Sequence, residues 1–275
     1  MTNISNTKKR FKKVYIEITN VCNLSCPFCA KCGRDGHFMT EDEFLRAATQ
    51  AKTVSDYVYF HLLGEPTLHP QMKHFLDICE DVGLKVNLTT NGTMPDNIPT
   101  DHPALRKVSI SLHAAEANAL YIEKYATGVK KLINGLASNG KITEIKFWNG
   151  TYDQNTSPDT YTGRLMALLS PIPENVHVGT GEIFVWPSDS KKAYNPTFCM
   201  GLRDQCAILC DGTVVPCCLD SDGEIALGNI FTEGIESILS SPRAKAIYDG
   251  FSQGKVVEEL CRKCSFYQNR KGFSK

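Results

Sequence analysis

Residues 13–32 read KVYIEITNVCNLSCPFCAKC. The first seven, KVYIEIT, are rich in β-branched and aromatic side chains, a composition that predicts a β-strand. Four cysteines then fall within residues 21–32: Cys22, Cys26, Cys29 and Cys32. Packing does not require thiols at this density, so the stretch indicates a disulfide, a zinc site or an iron–sulfur cluster.

Composition narrows the class of protein. The chain has 275 residues, 42% of them hydrophobic, which is enough for one large core and a small second domain. A formal net charge of zero gives no electrostatic footprint for nucleic acid or an anionic membrane. Residues 1–12 have no secretory pattern and are predicted to be a solvated tail, and no apolar run is long enough to span a membrane. We therefore expect a cytoplasmic protein with neither a nucleic-acid nor a membrane partner.

The twelve cysteines, with no export signal, favour reduced thiols that serve metal binding or catalysis over a disulfide scaffold. They fall into clusters at residues 22–32, 199–218 and 261–264, with Cys79 alone between the first two. Cys79 lies on the predicted apolar face of a helix, where a structural thiol is expected.

Strands and helices are predicted to alternate along the chain. The predicted strands are 13–19, 57–63, 85–90, 107–112, 143–148 and 182–186. The predicted helices begin at Thr40, where TEDE forms a capping box, and after Pro70, and also cover 115–138 and 158–169. Such alternation predicts an α/β fold with a parallel sheet covered by helices. Six units are too few for a closed eight-stranded barrel, so a partial (β/α)6 TIM-type barrel is expected.

Four polar loops follow the first four strands, at the end of the barrel where such folds carry their chemistry. They begin at Cys22, at the Gly-Glu-Pro of residues 64–66, at the Thr-Asn-Gly of residues 90–92, and at His113. We expect them to meet on one rim.

Cys22, Cys26 and Cys29 are spaced C-x3-C-x2-C. Three thiolates can hold three irons of a [4Fe–4S] cluster and leave the fourth open to an amine and a carboxylate. The alternative set of Cys26, Cys29 and Cys32 has ferredoxin-like spacing. It lacks the fourth cysteine, because position 36 is glycine. A zinc site would need further ligands at suitable spacing and would leave the barrel unexplained, so Cys32 is predicted to be a free thiol.

With the Gly-Glu-Pro loop after the second strand, this motif resembles the radical S-adenosylmethionine (radical SAM) superfamily, over residues 13–190. The resemblance implies a [4Fe–4S] cluster on Cys22, Cys26 and Cys29 that reduces bound SAM to methionine and a 5′-deoxyadenosyl radical. It also implies a flavodoxin- or ferredoxin-type electron donor. By position, the implied SAM contacts are Phe28, Gly64, Glu65, Pro66, Asn91, Ser109 and Ser111. The two serines are equally open to a purely structural role, and so are Lys146, Trp148 and Asn149 at the end of the fifth strand.

Residues 206–218, CAILCDGTVVPCC, predict a hairpin that turns at Asp211-Gly212. With Cys199, they resemble the opening of the SPASM domain of radical SAM enzymes, and Cys261-x2-Cys264 extends the likeness. Because no cysteine follows Cys264, the shorter twitch version is expected over residues 191–275. The resemblance implies one auxiliary [4Fe–4S] cluster on Cys199, Cys217, Cys261 and Cys264.

The other cysteines near this hairpin have different expected roles. Adjacent residues on a strand face opposite ways, so Cys218 is expected to point away from Cys217. Cys206 and Cys210 share a face and are expected to be core thiols, with Cys210 the alternative ligand.

The resemblance leaves the reaction open. Four protein ligands to the auxiliary cluster favour electron transfer there over substrate binding. Peptide maturases of this superfamily often carry a leader-binding domain ahead of the barrel, for which twelve residues are too few. We therefore expect oxidation or rearrangement of a small molecule, with peptide or protein modification as the alternative and an iron–sulfur electron carrier as a remote third.

Overall fold

The computed structural model describes residues 9–148, 156–181 and 184–266. Their strands form one sheet in the order β6-β5-β4-β3-β2-β1-β7-β8-β9. The first six are β1 Lys13–Ile16, β2 Tyr57–Phe60, β3 Lys85–Thr90, β4 Leu105–Ser111, β5 Ile142–Phe147 and β6 Val176–Thr180. Each pairs in parallel with the next along the chain. This confirms the predicted α/β fold of the partial-barrel type.

Helices connect these strands and cover one face of the sheet. They are α1 Glu41–Val54, α2 Met72–Asp81, α3 His113–Ala117, α4 Ile122–Ser138 and α5 Tyr161–Leu169. The capping box of α1 is confirmed: Thr40 accepts from the Glu43 amide, and the Glu43 carboxylate accepts from the Thr40 amide. Cys79 is fully buried on the apolar face of α2, as predicted.

Several predicted elements differ from the structure. The first strand ends at Ile16, three residues before the predicted end, and the helix predicted at 158–169 begins at Tyr161. The strand predicted at 182–186 is wrong at residues 184–186, which are irregular, while residues 182 and 183 lie outside the described part; β6 lies earlier, at Val176–Thr180. The helix predicted at 115–138 is two helices, because Ala119 has a φ of 49° between them. The second strand ends at Phe60, three residues early, because the chain there turns into the Gly-Glu-Pro loop.

The C-terminal region continues the sheet of the barrel. The predicted hairpin is confirmed as β7 Gln205–Ile208 and β8 Thr213–Val215, with a φ of 83° at Gly212 in its turn. β7 pairs in parallel with β1, and β9 Gly228–Asn229 pairs with β8. Helices α6 Ile235–Leu239, α7 Pro242–Ser252 and α8 Glu259–Arg262 follow. A domain boundary at residue 190 stays a prediction, but the two parts share one continuous sheet.

The two faces of the sheet have different chemistry. Valine and isoleucine side chains such as Val14, Val108 and Ile145 are fully buried under the helices. Residues one position along each strand point the other way, into the barrel, and many are polar or charged. No helix within the described ranges is long and apolar enough to cross a membrane.

Candidate active site

The loop after β1 presents three cysteines at the rim of the barrel. Cys22 and Cys29 are exposed and Cys26 is half-buried, and all three are free thiols. N–H groups point at two of the sulfurs: the Asn118 amide donates to Cys26 Sγ at 3.2 Å, and the Leu24 amide donates to Cys22 Sγ at 3.5 Å. Hydrogen bonds of this kind stabilise metal-bound thiolates and tune iron–sulfur clusters, so the loop fits the predicted cluster.

The three thiols influence one another electrostatically. Desolvation raises the pKa of Cys29 to about 11, with further contributions from Cys26 and Cys22. Desolvation likewise raises the pKa of Cys22 and of Cys26. Without a metal these groups are neutral thiols, and binding iron would displace their protons.

The predicted Gly-Glu-Pro loop lies directly against the cysteine loop. The Glu65 amide donates to the Val21 carbonyl at 2.9 Å. Gly64 has a φ of 72°, and a Cβ there would collide with the Thr19 carbonyl and the Asn20 backbone. Only glycine fits this position, because the two loop backbones approach so closely.

The Glu65 side chain joins this loop to the next one. Its carboxylate is buried and accepts from the Thr67 hydroxyl and the Thr90 hydroxyl, both at 2.7 Å, and from the Asn91 amide at 2.6 Å. Burial raises the pKa of Glu65, while these hydrogen bonds lower it. The sequence placed Glu65 among the SAM contacts; the structure adds a positioning role for its side chain that the motif did not indicate.

Asn91, in the third rim loop, contacts the cysteine loop. Its amide nitrogen donates to Asn23 Oδ1 at 3.0 Å and approaches Cys22 Sγ at 3.8 Å. The Tyr125 hydroxyl donates to the Asn91 carbonyl at 2.8 Å, which fixes the backbone. The predicted convergence of Cys22, Glu65 and Asn91 on one rim is therefore present in the structure.

Phe28 and His113 face each other across the rim, with ring centroids 4.3 Å apart. His113 is buried, and burial lowers its pKa. Its Nε2 atom has no hydrogen-bond partner within the described part of the chain. An orphaned buried nitrogen beside an aromatic ring is a good fit to a nucleoside such as that of SAM, which carries both a stacking face and hydrogen-bonding groups.

Sequence reasoning missed two residues of this rim. Asn118, beyond α3, donates to Cys26 and accepts from the Ser25 amide at 2.9 Å. The Trp186 indole donates to the Phe28 carbonyl at 2.9 Å, across 158 residues of chain. Neither belongs to a local motif, and no spacing in the sequence could have indicated these contacts.

The predicted serines on β4 point into the barrel. Ser109 is buried and donates to Glu144 Oε2 at 3.1 Å, and Ser111 is half-buried on the same face. Ser109 therefore has a side-chain partner on the neighbouring strand, and its role as a SAM contact stays a prediction. Lys146 and Trp148 share this face, whereas Asn149 lies outside the described residues.

A second group of thiols surrounds a cavity of about 130 Å³ beside the hairpin. All four predicted auxiliary ligands line it: Cys199, Cys217, Cys261 and Cys264. Burial raises the pKa of Cys199 to about 11, and the neighbouring Cys264 adds to the rise. Burial also raises the pKa of Cys217, with contributions from the other three predicted ligands and Cys218. The donor set and its enclosure fit a cluster that is wholly protein-ligated.

Cys218 corrects one prediction. β8 ends at Val215, so neither Cys217 nor Cys218 lies on a strand, and the alternation of faces does not apply to them. Both cysteines line the cavity. Cys218 differs from Cys217 in its surroundings, because it packs against the apolar cluster that contains Tyr15 of β1, and the Tyr15 side chain offsets part of the rise that burial causes in the pKa of Cys218.

Three further cysteines have other surroundings. Cys206 is fully buried in the core, as predicted. Cys210 is also buried, but its sulfur accepts from Arg34 Nη1 at 3.3 Å, so it belongs to a polar contact rather than to the auxiliary cavity. The Cys32 sulfur accepts a hydrogen bond from the side-chain amide of Asn20 at 3.5 Å. That Cys32 is a free thiol outside the cluster stays a prediction.

Across residues 9–148, 156–181 and 184–266, no three histidine, cysteine, aspartate or glutamate side chains gather closely enough to hold a single metal ion. A cubane cluster makes a different demand, because each thiolate binds a different iron. Its cysteines therefore stand farther apart than the ligands of one ion.

Family models match both parts of the chain. The radical SAM superfamily matches residues 16–144, and SPASM, an iron-sulfur cluster-binding domain, matches residues 199–265. With the parallel barrel and the rim of cysteines, these matches define an iron–sulfur protein of the partial-barrel class. The chain belongs to the radical SAM superfamily and carries a SPASM-type C-terminal region.

Two relatives share part of the sequence. A tungsten-containing aldehyde ferredoxin oxidoreductase cofactor-modifying protein of Pyrococcus furiosus is 36% identical over 91 residues, 30% of this chain and 24% of that protein. A probable GTP 3',8-cyclase of Methanocaldococcus jannaschii is 28% identical over 143 residues, 46% of this chain and 47% of that protein. The chain thus spans less than half the length of these relatives.

Solved structures extend the likeness to nearly the whole fold. BtrN in complex with AdoMet and 2-DOIA superposes with a TM-score of 0.55 at 17% identity, over 94% of both chains. Streptococcus suis SuiB bound to precursor peptide SuiA superposes with a TM-score of 0.60 at 17% identity, over 86% of this chain and 67% of SuiB. At these identities the likeness shows a shared fold.

Proposed function

We propose that this protein is a radical SAM enzyme that oxidises or rearranges a small molecule. The observation that carries the proposal is the convergence of Cys22, Cys26 and Cys29 with the Glu65 loop and the orphaned His113 nitrogen on one rim. When bound there, a [4Fe–4S] cluster supplies one electron that cleaves SAM to methionine and a 5′-deoxyadenosyl radical, which takes a hydrogen atom from the substrate.

The chain's own residues would hold and orient the cofactor. Cys22, Cys26 and Cys29 would ligate three irons, and the backbone beside Gly64 would receive the methionine ammonium. Phe28 and His113 would contact the nucleoside of SAM. Cys199, Cys217, Cys261 and Cys264 would ligate one auxiliary [4Fe–4S] cluster, which suits electron transfer because all its irons would have protein ligands.

Two further proposals concern the surroundings of the enzyme. A flavodoxin- or ferredoxin-type protein would supply the electron. All twelve cysteines are free of disulfides, which supports a reducing compartment such as the cytoplasm.

The choice of a small molecule is supported by the fold of BtrN, solved with AdoMet and 2-DOIA, which matches across 94% of both chains. Peptide modification is the second candidate. It is supported by the SuiB fold and by 30% identity over 84 residues with a PqqA peptide cyclase of Bradyrhizobium diazoefficiens.

The activity is tested by incubating the anaerobically reconstituted protein with SAM and dithionite. We expect 5′-deoxyadenosine to form, whereas an electron carrier would leave SAM intact. A gene for a short precursor peptide beside this gene would favour the second candidate, and incubation with that peptide would then test for a mass change.

A further inference from the structure

A short segment after β6 contacts the loop that carries the rim cysteines. Residues 26–29 of that loop form a turn, in which the Cys29 amide donates to the Cys26 carbonyl at 3.1 Å. Phe28 lies inside this turn, and its carbonyl accepts from the Trp186 indole at 2.9 Å. Trp186 therefore holds the backbone between two of the three cysteines that are proposed to ligate the SAM-cleaving cluster.

Two phenylalanines continue this contact toward the auxiliary cavity. The ring centroids of Trp186 and Phe184 are 5.2 Å apart, and those of Phe184 and Phe266 are 5.6 Å apart in an edge-to-face arrangement. Both distances are typical of favourable aromatic pairs. We call Trp186, Phe184 and Phe266 the aromatic bridge.

The far end of the aromatic bridge lies at the auxiliary cavity. Phe266 lines that cavity together with Cys264, and so does Pro187, the residue after Trp186. The Phe266 backbone also offsets part of the rise that burial causes in the pKa of Cys264. The bridge thus contacts the cysteine turn at one end and the wall of the auxiliary cavity at the other.

The direction of the Phe28 ring matters for the bound cofactor. This ring faces His113, with 4.3 Å between the centroids, where the nucleoside of SAM is proposed to bind. The Phe28 carbonyl belongs to the planar peptide that joins Phe28 to Cys29, so a donor to its oxygen restricts the backbone rotation next to the ring.

We propose that Trp186 is a positioning residue for the nucleoside of SAM, and that Phe184 and Phe266 hold Trp186 in place from the auxiliary site. This inference rests on the proposed function, because it concerns how the proposed site binds SAM. It predicts that breaking the aromatic bridge weakens the binding of SAM without removing either cluster.

The test compares the binding of SAM and of methionine to anaerobically reconstituted protein, by calorimetric titration without reductant. Trp186→Phe keeps an aromatic ring and loses the N–H donor. We expect its dissociation constant for SAM to rise about fivefold, the effect of one neutral hydrogen bond. Its dissociation constant for methionine should stay unchanged, because methionine has no nucleoside. Its iron content should equal that of the wild-type protein.

A second variant breaks the bridge in the middle. Phe184→Leu leaves the Trp186 indole intact but removes the ring that supports it, so we expect a similar rise in the dissociation constant for SAM. The double variant should bind SAM only slightly more weakly than either single variant, because residues that act through one another are not additive. If the Trp186→Phe protein does not fold, the Phe184→Leu protein decides the test alone.

Arg46→Met is the matched control. Arg46 Nε donates to the Ile230 carbonyl at 2.6 Å, across 184 residues of chain, so it makes the same kind of contact outside the aromatic bridge. Its loss should leave the dissociation constant for SAM unchanged, whatever its effect on the melting temperature.

Three results would overturn the proposal. The first is a Trp186→Phe protein that binds SAM as tightly as the wild-type protein. The second is an equal weakening of SAM and methionine, which would mean that the whole rim is disturbed. The third is a double variant in which the two losses multiply, which would mean that Phe184 and Trp186 act separately.

SAM cleavage by the wild-type protein, with dithionite as the reductant, is measured separately. Wild-type protein that binds SAM but does not cleave it would reject the proposed function alone. Unchanged SAM binding by the Trp186→Phe protein, with cleavage by the wild-type protein, would reject the positioning role alone. Wild-type protein that binds no SAM would reject both.

Discussion

Glu65 illustrates, at the scale of a residue, how one buried carboxylate organises the rim. It accepts hydrogen bonds from Thr67, Thr90 and Asn91 and so connects two loops that the sequence only predicted to be near each other. We predict that Glu65→Gln lowers the free energy of unfolding by about 3 kcal/mol, because the new amide group faces donors that lose their acceptor. It should also weaken SAM binding while the iron content stays unchanged.

Urea unfolding, SAM titration and iron analysis would be carried out on this variant and on Glu80→Gln. Glu80 lies on α2 with a side chain 49% exposed, so its substitution should have little effect on any of the three. Loss of iron from the Glu65→Gln protein would show that the loop supports the iron–sulfur cluster rather than SAM binding.

At the scale of elements, a buried ion pair fastens the cysteine loop to the sheet. Arg34 Nη2 lies 2.7 Å from Glu17 Oε2, with side chains 12% and 0% exposed. Glu17 also accepts from the amides of Leu63 and Cys210, so it joins the loops after β1, β2 and β7. Arg34 further donates to the Ser221 carbonyl at 3.0 Å.

We predict that Glu17→Gln destabilises the protein by about 3–5 kcal/mol, because it leaves the Arg34 charge without its buried partner. The matched control is Glu123→Gln, which breaks an exposed pair with Arg164 and should cost less than about 1 kcal/mol. Unfolding curves of both variants measure these losses in the free energy of unfolding. Equal losses would show that the buried pair stabilises the protein no more than the exposed pair does.

The end of the hairpin separates Cys217 from Cys218. Cys218 packs against the cluster that contains Tyr15, whereas the pKa of Cys217 is raised by all four other thiols of the cavity. We therefore predict that Cys217→Ser removes the auxiliary iron and that Cys218→Ser retains it, as measured by iron content after anaerobic reconstitution. If Cys218→Ser were the change that emptied the site, the ligand set would have to be revised.

At the scale of the whole molecule, the two groups of thiols should act as independent sites. Two cubane clusters require about eight irons per chain. A protein in which Cys22, Cys26 and Cys29 are all replaced by alanine should keep about four irons, and these should disappear when Cys199 is also replaced. A triple variant without iron would mean that the auxiliary cavity cannot hold a cluster alone.

Local patterns were enough to predict most of the fold. Apolar strands that alternate with helices predicted the parallel sheet, and the capping box at Thr40 predicted the start of α1. Each of these signals lies within a short stretch of sequence. The sixth strand was misplaced because EIFVW at 182–186 is apolar in a way that suits a strand. The pairing of β7 with β1 could not be predicted, since it joins segments almost 200 residues apart.

The candidate site likewise has a part that the sequence predicted and a part that it did not. Its cysteines and its Gly-Glu-Pro loop are short motifs, and their convergence followed from the direction of parallel strands. The partners of these residues, such as Asn118 at Cys26 and Trp186 at Phe28, depend on tertiary packing and leave no trace in spacing.

The central claim is that Cys22, Cys26 and Cys29 hold the cluster that cleaves SAM. It is tested most directly by quantifying 5′-deoxyadenosine from reduced, reconstituted Cys26→Ala protein beside Cys32→Ala, a cysteine of the same loop outside the motif. We predict that Cys32→Ala forms 5′-deoxyadenosine at close to the wild-type rate and that Cys26→Ala forms none. Continued SAM cleavage by the Cys26→Ala protein would contradict the account.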